Sequence, residues 1–94
     1  MERRYKDELD LRFDQVADYG FSVITDDELL RWWDRKRVTA SVWQDMLEKW
    51  EERNFTDGDG RAVPLMINAY KSRFVLAWGE EGWLVPVSDW AKGG

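Results

Sequence analysis

Neither cysteine nor histidine occurs among the 94 residues. Their absence excludes disulfides, thiol chemistry, Cys/His zinc sites and histidine acid–base catalysis. A cytoplasmic home fits a chain without disulfides. The opening MERRYKDELD is charged from its second residue and has no apolar run of the signal-peptide kind, which adds to that expectation. No segment approaches the roughly 20 apolar residues that span a membrane, so no membrane partner is expected. Prolines are only two, Pro64 and Pro86, and both lie in the last third. Sequence spacing therefore decides most of the element boundaries without a proline break.

Aromatics and charge are plentiful instead. Seven Trp, four Phe and three Tyr stand in a chain that is 44% hydrophobic and 35% charged. Large aromatics bury roughly 150–250 Å² each, so these rings can supply much of a small core. One domain over residues 1–94 is expected, with neither an internal repeat nor a linker. Nineteen acids against fourteen bases give a net charge of −5. A phosphate-binding surface is usually basic, so this balance favours a basic partner over nucleic acid.

Residues 25–54, TDDELLRWWDRKRVTASVWQDMLEKWEERN, organise the chain and hold four of the tryptophans. They read as two amphipathic helices with a very short break at Val38-Thr39. Thr25 and Glu28 form a capping box, and Asp26 and Asp27 suit the positive helix end. Leu29, Leu30, Trp32 and Trp33 fall on the apolar side of the first helix. Val42, Trp43, Met46, Leu47 and Trp50 share one face of the second, opposite Ser41, Asp45, Glu48 and Glu52.

Before this pair, residues 1–20 read as a helix ending at Gly20. Tyr5, Leu9, Phe13 and Val16 make its inner face, while Asp7, Asp10, Asp14 and Asp18 stripe the other side with Leu11 beside them. Phe21–Ile24 alternates as a brief strand. After the pair, Asp57-Gly58-Asp59-Gly60 hints at a calcium loop, but the twelfth position is Asn68 rather than glutamate, so it reads as a turn. Residues 61–87 read as a β-meander, with strands at 63–70, 73–78 and 83–87. Gly79–Gly82 is its hairpin loop, and Pro86 marks an edge. Residues 88–94 are expected to form a tail onto which Trp90 folds back.

The fold class is thus α+β: three helices with a short strand, followed by a C-terminal antiparallel β-hairpin or three-stranded meander. From about residue 5 to 87 this order resembles a winged helix-turn-helix domain. The resemblance implies that residues 38–55 enter a DNA major groove while a wing at 74–87 touches the backbone. Arg31, Arg35, Lys36, Arg37, Lys71 and Arg73 are then the phosphate contacts. Carboxylates on the outer face of the second paired helix oppose that activity, because phosphates repel them.

A non-enzymatic protein-binding module needs fewer exceptions. Asp7, Asp10, Leu11, Asp14, Asp18, Asp45, Glu48 and Glu52 are its candidate contact residues. The partner expected is a basic protein surface, including that of a nucleic-acid-binding complex; DNA ranks below it. In size and charge the chain is similar to phage-encoded anti-CRISPR and anti-restriction inhibitors that mimic nucleic acid. No cofactor, metal site or catalytic residue is expected, and either a monomer or a homodimer fits.

Overall fold

The computed structural model describes residues 1–79 and 82–92 and shows an α+β fold built from helices and a four-stranded antiparallel sheet. α1 covers Arg3–Tyr19 and stops where Gly20 turns left-handed at φ 94°. A left-handed residue ends a helix most cheaply when it lacks a Cβ. β1 follows at Phe21–Thr25. α2, Asp26–Trp33, begins at the capping box, with the Thr25 side chain accepting from the Glu28 N–H and Glu28 accepting from the Thr25 N–H.

The break between α2 and α3 is longer than its sequence indicates. Asp34 adopts φ 52° and ends α2, and α3 starts only at Ala40 and runs to Glu52. Residues 31–37 are polar or charged apart from the two tryptophans, so beyond Trp33 no apolar position holds another helical turn against the core.

Strands β2, Met66–Tyr70, and β3, Arg73–Ala77, form a hairpin whose turn carries Lys71 at φ 56°. β1 pairs with the far side of β3, so the sheet order is β1-β3-β2-β4. β4 is only Val85–Pro86 and pairs with β2. β3 and β4 are therefore not paired with each other, and the Phe74–Val87 wing does not form as one unit. Glu80 and Glu81, the middle of the expected Gly79–Gly82 hairpin loop, lie outside the described residues. Residues 63–65 precede the sheet without joining it, although Val63 and Leu65 are buried.

The expected tail is instead a short helix, α4, at Val87–Ala91. Three contacts hold it. Val87 and Ala91 are buried one turn apart. Trp90 lies edge-on to Trp43 at 5.1 Å and to Phe74 at 5.9 Å. The amide of Gln44 donates to the Ala91 carbonyl at 2.7 Å, satisfying one of the acceptors that a helix end leaves open.

The core sits between the helices and one face of the sheet. Leu9, Phe13 and Val16 of α1 meet Leu29 and Trp32 of α2, Met46 and Trp50 of α3, and Ile24, Ile67 and Leu76 of the sheet. Buried Ser22 is satisfied by donating to Gln15 at 2.7 Å. The 57–61 turn also has a local cause: Asp57 Oδ1 accepts from the backbone N–H groups of Asp59 and Arg61. Its carboxylate closes the turn, as the turn reading of this stretch expects.

Candidate interaction surfaces

The acidic candidates on α1 and α3 divide into two groups once the helices pack. Arg53, at the end of α3, reaches α1, where it pairs with Asp14 and lies 3.6 Å from Asp10. Lys6 also reaches Asp10, at 3.1 Å. Asp45 turns inward along α3, accepting from the Trp33 indole at 2.7 Å and from Lys49 at 3.1 Å. Glu8, which the helical stripe did not mark, accepts from the Trp32 indole. These carboxylates tie α1, α2 and α3 together. Tryptophan N–H groups rarely stay unpaired at a core boundary, and here two of them select nearby carboxylates.

Asp7, Asp18, Glu48 and Glu52 form the second group. All four are exposed, and none has a basic group within 4.0 Å among the described residues. Leu11 lies on the same α1 stripe as Asp7, Asp14 and Asp18, and is 52% exposed. The outer sides of α1 and α3 thus offer negative charge with one apolar side chain among it.

The basic candidates are not gathered. Arg31 is 3.8 Å from Glu8. Arg35, Lys36 and Arg37 are exposed after the C-terminus of α2. Arg73 pairs in register with Thr25, the residue that caps the other end of α2, and Lys71 stands at the adjoining turn. The length of α2, about 12 Å at 1.5 Å per residue, therefore separates the two basic groups.

A third surface is one that sequence spacing left unmarked. Alternation places Phe21 and Val23 of β1, Val75 and Ala77 of β3, and Tyr70 of β2 on the side of the sheet facing away from the helices. Tyr19 and Trp83 flank this face, and Asn68 anchors the latter by donating to its carbonyl. The one clue in the sequence was alternation with apolar residues at both phases, as in Phe21-Ser22-Val23-Ile24. A strand covered on only one side normally alternates with polar residues.

Among the described residues, the carboxyls of Glu28 and Asp45 are held below their ordinary values. Burial raises Glu28, but the Thr25 N–H and the Arg12 guanidinium outweigh it. Burial also acts upward on Asp45, where the Trp33 indole and Lys49 prevail. Their contribution to stability is complete above the unfolded carboxyl range, roughly pH 4–4.5, and is lost as pH falls through the lower folded values. Denaturant midpoints measured from neutral to acid pH are expected to drop in that window, and Asp45→Asn is expected to flatten part of the drop. An identical slope in that variant would remove Asp45 from the titration.

Among the described residues, no group of three carboxylates is arranged to hold a metal ion, and no helix is long and apolar enough to cross a membrane. Comparison with protein-family models, curated proteins and solved structures returns no match to this chain.

Proposed function

We propose that this chain is a non-enzymatic protein-binding module that lays the acidic outer sides of α1 and α3 on a basic surface of its partner. A surface that otherwise holds nucleic acid has the matching chemistry. An inhibitor of a host defence complex, of the phage-encoded type, is the form of this activity that the size and net charge fit. The observation that carries the reading is the exposed, unpaired state of Asp7, Asp18, Glu48 and Glu52. Arg53 and Lys49 are committed to other carboxylates, so these four keep their charge for an encounter. Such charge accelerates association and sets orientation, while Leu11 supplies an apolar contact that excludes water.

The test is displacement of a labelled DNA duplex from nucleic-acid-binding complexes of the host, using the wild-type chain and Asp7→Lys/Glu48→Lys/Glu52→Lys. The triple variant leaves Asp45 in place because that residue holds α2 to α3. Displacement by the wild type should weaken with salt and fall at least about tenfold in the variant. Equal displacement by both proteins would discard the acidic face as the contact.

A winged-helix DNA-binding reading is the alternative. Two observations favour it: the order α1-β1-α2-α3-β2-β3 with β1 against β3, and the exposed Arg35, Lys36 and Arg37. Against it, Gln44, an amide on the α3 helix that this reading sends into the groove, is bonded to the end of α4. Direct, salt-sensitive duplex binding by the chain that disappears in Arg35→Glu/Lys36→Glu/Arg37→Glu would establish this reading instead.

A further inference from the structure

The outer face of the sheet is unlike a solvated surface. Phe21 is 56% exposed, Tyr70 62%, Tyr19 76% and Trp83 51%. Between these rings lies an open groove of about 760 Å³, floored by Val75. With roughly 200 Å² per ring, the four aromatics alone leave on the order of 500 Å² of mostly apolar surface in water. That is near the upper end for the largest such patch on a monomer. Two faces of this size packed together would bury about 1,000 Å² before any rim is counted, which is where specific interfaces begin.

Charge differs between the two ends that border this face. Lys71 and Arg73 stand at the β2–β3 turn, exposed and with no carboxylate within 4.0 Å among the described residues. Asp18, also exposed and unpaired, belongs to the last turn of α1 and stands beside the opposite end, next to Tyr19 where β1 begins; its use there leaves Asp7, Glu48 and Glu52 as the acidic contacts for the proposed partner. The register confirms the polarity, since Phe21 faces Ala77 at one end and Thr25 faces Arg73 at the other.

We propose that two copies of this chain associate face to face through the outer side of the sheet, about a two-fold axis lying across the strands. That axis lays the basic end of each copy over the acidic end of the other. An axis along the strands would place like charges together. With the axis across the strands, β3 crosses its own copy, so the modest side chain of Val75 meets itself at the centre and the larger rings close around it. The interface is isologous and closes on itself, which limits assembly to a dimer. A single-stranded nucleic acid could also stack on these rings, but Asp18 would repel its phosphates and, among the described residues, only two cations border the face.

Sedimentation velocity of the full chain over a wide concentration range tests this association. The wild type should pass from monomer to dimer in the micromolar range. Val75→Lys should stay monomeric while keeping the wild-type circular dichroism spectrum. Lys71→Glu/Arg73→Glu should weaken the dimer at least about tenfold, and adding Asp18→Lys should restore most of the loss. The charge swap stays decisive even if Val75→Lys fails to fold. A wild type that is monomeric throughout would overturn the proposal, as would a dimer indifferent to these substitutions. Binding of an oligothymidine strand by a monomeric wild type, abolished by Tyr70→Ser, would give the face to nucleic acid.

Discussion

Trp50→Ala is expected to abolish cooperative unfolding or leave only a broad transition at low denaturant. Trp50 is buried on the inner side of α3, edge-on to Phe13 at 5.2 Å and to Phe55 at 5.6 Å. Its indole N–H donates to the Val63 carbonyl at 2.8 Å and so ties α3 to the stretch that leads into β2. Truncating a buried tryptophan costs about 3–5 kcal/mol, against a total of roughly 5–15 kcal/mol for a domain of this kind. A lost donor also strands a buried carbonyl, for which about 1–3 kcal/mol is typical. Trp50→Phe separates these contributions, because it keeps most of the ring and loses only the bond. Urea melts followed by circular dichroism should order the variants as wild type, then Phe, then Ala. A midpoint for Trp50→Ala within error of the wild type would refute the central place given to this residue.

Glu28→Ala is expected to cost about 2–4 kcal/mol, far above the usual effect of a glutamate near a surface. One carboxylate there serves two elements. It accepts from the Thr25 backbone at 3.0 Å to complete the cap of α2, and from Arg12 of α1 at 2.6 Å. Cap loss alone is worth about 1 kcal/mol. The larger part comes from Arg12, which is partly buried beside the Trp32 ring with an Nε that already has no partner. Without Glu28 its guanidinium keeps the desolvation cost and loses the compensating charge. Arg12→Met in the Glu28→Ala background should therefore recover stability. A double variant no more stable than Glu28→Ala would sink the stranded-charge explanation.

What the sequence disclosed follows the range of the forces involved. Helical spacing placed Leu9, Phe13 and Val16 inside, and Gly20 and the Thr25–Glu28 box set two boundaries, because each is decided within one or two turns. Spacing also kept Asp7, Asp18, Glu48 and Glu52 outside. It could not say that Asp14 meets Arg53 or that Asp45 meets Trp33, since those partners lie on other elements. β4 was misplaced in the sheet for the same reason. Two residues carry no pattern, and the burial of Leu65 and Val87 around them, with the Val87 N–H donating to the Leu65 carbonyl, accompanies the strand's place beside β2. The five residues of α4 are too few for a period, so their tertiary contacts with Trp43 and Gln44 create the helix. The aromatic outer face escaped notice because an exposed apolar residue and a core one look alike until the helices choose a side.

The pairing of β1 with β3 bears on the order in which the polypeptide leaves the ribosome. Phe21–Thr25 is made early, but its partner Arg73–Ala77 comes roughly fifty residues later. α1, α2 and α3 are therefore complete while the strand that should roof them has only one neighbour still to come. Throughout that interval Ile24, Leu9 and Phe13 lack the cover of Ile67 and Leu76. The nascent chain carries its stickiest surface at the stage when it is least able to hide it, which is the condition that calls for a chaperone.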